Sequence, residues 1–111
     1  MTDWEIEFYR DARGHSPITE FLDALEKTER ARCARALALL REFGPLLGMP
    51  HARPVEGFWE LRAGANRMFY FALVGRRFVI LHAYRKKSQK TPRREIETAR
   101  RRLTDYRERE R

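Results

Sequence analysis

Residues 58–84 read FWELRAGANRMFYFALVGRRFVILHAY. Three apolar-rich runs stand in this stretch: Phe58–Arg62, Arg67–Leu73 and Phe78–Tyr84. Ala63-Gly64-Ala65-Asn66 separates the first two, and Gly75-Arg76 turns the chain before the third. Glycine and asparagine accept the positive φ that tight hairpin connections require, so the spacing predicts an antiparallel meander of three strands. In the first run Trp59 and Leu61 share one parity and read as core, with Glu60 and Arg62 on the other face. The third run is apolar on both faces until His82, which predicts a strand inside the sheet with layers over each side.

Working outward, Trp4-Glu5-Ile6-Glu7-Phe8-Tyr9 alternates apolar and polar residues and predicts a first strand that joins the meander. Ser16-Pro17 reads as an N-cap with proline at the first helical position. Ile18, Phe21, Leu22 and Leu25 then predict a short amphipathic helix over residues 17–27. Thr28-Glu29 can cap a second helix with the stripe Cys33, Ala36, Leu37, Leu40 and Phe43, which Gly44-Pro45 ends. Residues 44–57 hold three glycines and three prolines and read as a loop. Thr91-Pro92 repeats the cap-plus-proline signal, and Ile96, Ala99, Leu103 and Tyr106 form one stripe of a last helix to about residue 108. The expected order is β-α-α-β-β-β-α. It is an α+β fold over a single domain, residues 1–111, with an antiparallel-dominated sheet packed with helices.

Composition narrows the function. The chain has 24 Lys and Arg against 16 acids, and 20 of the 24 are arginine. Residues 1–84 carry 12 basic and 11 acidic side chains, whereas residues 85–111 carry 12 and 5. Arginine grips phosphates through a planar fork, so the excess points to a polyanion, most often nucleic acid; a solvated basic helix is the plainer alternative. One cysteine excludes an internal disulfide framework and fits a reducing cytoplasm. No apolar run is long enough to span a membrane, and the opening MTDWEIE has no apolar signal region. A cytoplasmic protein without a membrane partner is expected.

FWELR at 58–62, Arg67 and Tyr70, LHAYRKKSQKTP at 81–92, EIETA at 95–99 and Asp105-Tyr106 together resemble the RelE/HigB superfamily of bacterial toxins. The phage-derived, HigB-like branch is the nearest. The resemblance runs from Trp4 to Tyr106, with its specific part at 58–106. Small departures are Ala83 where glycine is common, Tyr84 where phenylalanine is common and Ser88 where threonine is common. The resemblance implies a compact RelE fold and a ribosome-associated endoribonuclease that cuts mRNA in the A site of the 70S ribosome. It also implies neutralisation by a cognate antitoxin, of helix-turn-helix type.

The residues themselves support a metal-free site and no cofactor. His15, His51 and His82 lack ligand spacing, and no nucleotide fingerprint is present. Cys33 reads as a small core residue. What remains is Arg, Lys, Tyr and His, which suits RNA transesterification because cations stabilise charge on the nonbridging oxygens. Arg62 and Arg67 flank the hairpin and can hold one phosphate between them. Taken without any resemblance, the plainer reading of Arg62 is an ordinary surface arginine paired with Glu60. Lys86 and Lys87 sit between a strand and a capped helix; Lys86 beside other cations is a candidate acid or base, and Lys87 a phosphate contact. His82, Tyr84 and Lys86 share one parity. His82 is either an RNA contact or a satisfied core histidine, and Tyr84 can stack on a base. Arg85, Gln89 and Lys90 complete the RNA-binding loop. Arg100, Arg101 and Arg102 are expected to dock ribosomal RNA. Tyr106 lies on an apolar stripe and reads as core, but the resemblance places it among the catalytic residues with Arg62, Arg67 and Lys86. Two other readings stand beside the nuclease. One is a non-catalytic RNA- or ribosome-binding module; the other is a phage-related protein-interaction domain.

Overall fold

A computed structural model describes residues 3–73 and 75–110. Strand β1 is Glu5–Phe8, helix α1 Pro17–Asp23 and helix α2 Lys27–Phe43, followed by a 3-10 turn at Gly44–Leu46. Strands β2 (Ala52–Val55), β3 (Phe58–Ala63), β4 (Asn66–Leu73) and β5 (Arg77–Arg85) precede the last helix, α3 (Arg93–Arg109). The sheet order is β1-β5-β4-β3-β2. Strand β1 pairs parallel to β5 and the other neighbours are antiparallel. The α+β class and the meander of β3, β4 and β5 are as expected. β5 lies inside the sheet, and Phe78, Val79, Ile80 and Leu81 are all buried.

Four local expectations are corrected. The segment read as a loop holds β2, a four-residue strand on the sheet edge whose Pro54 sits opposite Trp59. Proline is tolerated there because an edge strand can spare an N–H. Trp59 is 38% exposed and Glu60 fully buried, the reverse of their expected roles. Glu60 shares its face with the buried Phe69, its cross-strand partner, and with Tyr84, whereas on the opposite face Leu61 and Ala63 are covered and Trp59 is left out. Thr28-Glu29 does not cap α2, which starts at Lys27 after Glu26. Nor does Thr91 cap α3; Pro92 occupies that position, and the Thr91 hydroxyl accepts from Arg53 at 3.4 Å.

The Ser16 cap is as read. Its Oγ accepts from the Thr19 amide at 3.3 Å, with Pro17 opening α1. That helix ends at Asp23 and not near residue 27, and beyond it the Arg30 guanidinium donates to the carbonyls of Leu22, Asp23 and Leu25. Gly44 closes α2 with φ +56, and its Cα lies against the Trp4 indole, leaving no room for a side chain. The stripe Ile96, Ala99, Leu103 and Tyr106 is buried as predicted.

Candidate phosphate-binding site

The turn between β3 and β4 places Arg62 directly opposite Arg67. Cross-strand partners project to the same side, so the two guanidinium groups share one end of the sheet. The exit of β5 is stitched to the same hairpin, because the Lys86 amide donates to the Ala65 carbonyl at 2.7 Å. A cleft of about 500 Å³ opens between them, lined by Arg62, Ala65, Arg67, Lys86, Lys87, Ser88 and Gln89. Four cations from three chain segments therefore meet around one cleft.

Arg67 is only 7% exposed. Its Nη1 donates to the carbonyls of Gly64 at 2.7 Å and Asn66 at 3.0 Å. Its Nε is buried without a hydrogen-bond partner and stands 3.8 Å from Glu60 Oε1. Glu60 is the organising residue that sequence reasoning missed. The same carboxylate accepts from Arg53 Nε at 2.8 Å and from the Tyr84 hydroxyl at 3.5 Å. Its partners are thus Arg53 and Arg67, and Arg62 has no carboxylate within ion-pair distance among the described residues. The reading of Arg62 as a Glu60-paired surface arginine is set aside. Burial, followed by the charge of Arg62, lowers the Arg67 pKa from its ordinary value, although an arginine remains ionised. Burial also lowers the Lys86 pKa; Glu60 opposes that shift, and Arg67, Arg53 and Arg62 add to it. An ammonium in that setting releases its proton more readily than one in water.

The loop residues Lys87, Gln89 and Lys90 are exposed. Arg85 is exposed too, 3.9 Å from Glu29. Other expected site residues lie elsewhere or are committed to packing. Tyr84 is 5% exposed, with its ring stacked on His82 at 5.8 Å and tilted against Phe69 at 5.7 Å, so it offers no face to a base. Tyr106 is buried, and its hydroxyl donates to Glu7 at 2.9 Å. Burial and that carboxylate raise its pKa to about 12. Glu7 is in register with Val79, whereas Arg67 is in register with Tyr84. Five residues of strand, roughly 16 Å, separate Tyr106 from the arginine pair. Arg100 lies over the Phe58 ring and pairs with Glu56 at 3.3 Å. Arg101 is exposed.

Arg102 and His82 form one structural unit. Arg102 Nη1 donates to the Leu81 carbonyl and to His82 Nδ1, each at 3.1 Å. An arginine cannot accept, so Nδ1 is the unprotonated nitrogen and Nε2–H donates to Glu95 at 2.6 Å. Burial, helped by Arg102 and Arg101, lowers the His82 pKa against the raising effect of Glu95. The folded chain thus favours neutral imidazole, whereas the unfolded chain protonates below about pH 6.5. Stability is then full above that pH and falls as pH drops through it toward the lowered folded value. Melting temperatures across about pH 5–7 are expected to decline toward acid for the wild type and to be flatter for His82→Gln. Parallel curves would contradict this assignment.

The family model for phage-derived, Gp49-like proteins (DUF891) matches residues 20–104, which include α2, the hairpin, the basic loop and most of α3. The chain belongs to the Gp49-like family. The Gp49-like family is phage-derived and toxin-like, and a toxin implies an antitoxin partner. A comparison with curated proteins gives no match. Among the described residues of this Gp49-like chain, no helix is long and apolar enough to cross a membrane. No group of three or more His, Cys, Asp or Glu side chains among them could hold a metal ion.

Proposed function

We propose that this protein is the toxin of a toxin–antitoxin pair of RelE/HigB type, in the phage-derived HigB-like branch. In this reading it is an endoribonuclease that acts in the cytoplasm on mRNA held by the 70S ribosome, and a helix-turn-helix antitoxin neutralises it. The observation that carries this is the convergence of Arg62, Arg67 and Lys86 on one cleft at the end of the sheet. The reaction is a transesterification. The 2′-oxygen forms a bond to the adjacent phosphorus and gives its proton to solvent. The bond to the 5′-oxygen breaks, leaving a 2′,3′-cyclic phosphate and a 5′-hydroxyl. Arg62 and Arg67 hold the nonbridging oxygens as charge gathers on them. Lys86, with its lowered pKa, donates the proton that the 5′-oxygen needs. Lys87 and Gln89, on the cleft wall, contact the backbone and base of the same strand.

This chemistry uses side-chain cations where other nucleases use metal ions. Cleavage of mRNA on translating ribosomes is therefore expected to persist when divalent ions are chelated and polyamines hold the ribosomes together. Activity that vanishes on chelation and returns with one particular divalent ion would contradict the mechanism.

A further inference from the structure

The C-terminal arginines carry most of the net charge, yet much of it is already spent inside the molecule. Arg93 and Arg100 pair with Glu56, Arg102 holds His82, Arg107 lies over Phe71 and Arg109 pairs with Asp105. Further positive charge beside the cleft comes from α2, where Arg32 and Arg35 are exposed.

A second cleft, of about 450 Å³, shares Arg62 with the first. Its walls include Thr28, Arg32, Arg35, His51 and Gly64, and no Asp or Glu. The hairpin lies between the two clefts, with Gly64 lining the second and Ala65 the first. The φ of Gly64 is +64, and a Cβ built there would stand 3.2 Å from Arg32 Nη1, 3.3 Å from Arg32 Cδ and 3.6 Å from Glu29 Oε1. The Arg32 side chain therefore lies directly across the hairpin. The Gly64 carbonyl accepts from Arg67 Nη1 at 2.7 Å. Arg32 and Arg67 thus flank one residue, each from its own cleft, with Arg62 common to both. Arg32 remains 58% exposed despite standing 3.7 Å from Glu29. Glu29 is shared among Arg32, Arg85 and the Asn66 amide, so it cancels only part of this charge. Arg35 is exposed one helical turn further along α2.

Three arginines, with Glu29 the carboxylate beside the hairpin end of the wall, leave a net positive track that suits an extended chain of phosphates. A strand longer than the cleft has to leave it, and Arg62 is the residue through which the two clefts communicate. From this we infer that single-stranded RNA leaving the Lys86 cleft passes over Arg62 and the Gly64 hairpin, and sets its next backbone phosphates against Arg32 and Arg35. The inference rests on the RNA reading of the first cleft and adds to it a second, sequence-independent subsite.

The test is equilibrium binding of a labelled trinucleotide and a labelled nonanucleotide, both single-stranded RNA, at several salt concentrations. The proteins compared are the full chain and its Arg32→Gln/Arg35→Gln variant. The trinucleotide fills the first cleft alone and is expected to bind both proteins equally. For the nonanucleotide the variant is expected to bind more weakly, with a log–log salt slope flatter by about 1.4, two phosphate contacts at roughly 0.7 each. Arg32 also packs on the hairpin, so Arg35→Gln alone serves as the second variant, with a slope flatter by about 0.7. A wild type that binds the longer RNA, with both variants parallel to it, overturns this inference alone. A wild type that binds neither length overturns this inference, whereas the RNA reading beneath it falls only if mRNA on programmed ribosomes also stays uncut. Variants that lose an acidic peptide while keeping RNA binding would reassign the surface to a protein partner and overturn the inference.

Discussion

Replacing Arg62 by alanine is expected to slow mRNA cleavage on saturating ribosomes by a factor of about 10²–10³, equivalent to about 2.7–4 kcal/mol of transition-state stabilisation. The melting temperature is expected to stay within a degree or two of the wild type. Arg62 lines the cleft, and among the described residues no carboxylate engages it, so its charge is available to a phosphate. Arg67→Ala is expected to lose as much activity but to lose stability too. Its Nη1 holds the hairpin carbonyls of Gly64 and Asn66 that set the positions of both arginines. The pair of measurements separates the two roles. Arg62→Ala cutting at the wild-type rate would remove the two-arginine phosphate clamp.

The second large effect is on the fold. Glu60→Ala is expected to destabilise the protein by about 3–5 kcal/mol, because removing one partner of a buried charge cluster strands the other. Arg67 would then be a cation at 7% exposure with no counter-charge nearby, and Arg53 would lose its 2.8 Å partner. For a chain of this size that loss lowers the melting temperature by roughly 10–25 °C. Glu60→Gln keeps an acceptor for Arg53 and is expected to lose less. A melting temperature unchanged in Glu60→Ala would mean that water or another group satisfies Arg67, and that Glu60 does not organise the cleft.

The legible parts of this fold were those where one physical rule acts without competition. The β3–β4 hairpin could be read because Ala63–Asn66 is a short connection with glycine and asparagine, and a short connection fixes register. That register places Arg62 opposite Arg67, so half of the candidate site followed from the turn. The interior position of β5 followed from apolar residues on both of its faces. Strand β2 was hidden because four residues containing a proline carry no periodic signal, and only pairing with β3 makes them a strand. Parity separated Trp59 from Glu60 correctly but could not tell which face would be buried. A carboxylate between two arginines goes inside because its partners come with it, and Arg53 lies in a segment that looked like loop.

Tyr106 illustrates a different limit. A helical stripe gives the face that packs and says nothing of the sheet end beneath it. Here the end is the one near Glu7, far from the arginine pair. The C-terminal charge run shows a similar limit. Counting charges does not reveal that Glu56, held at positive φ just before β3, takes both Arg93 and Arg100. Nor does it show that Arg102 turns inward to His82. Of the arginine triplet at 100–102, Arg101 is the one left facing solvent without such a contact among the described residues.

The central claim is that the cleft at the hairpin end cuts RNA. It is tested most directly by adding the purified protein to ribosomes programmed with a defined mRNA and mapping the ends of the products. The account predicts discrete cuts that leave a 2′,3′-cyclic phosphate and a 5′-hydroxyl, and that form about 10²–10³ times more slowly with Arg62→Ala under the same conditions. Arrested translation with intact mRNA would contradict it in favour of a non-catalytic ribosome-binding protein. Unaffected translation with intact mRNA would contradict it in favour of a protein-interaction domain.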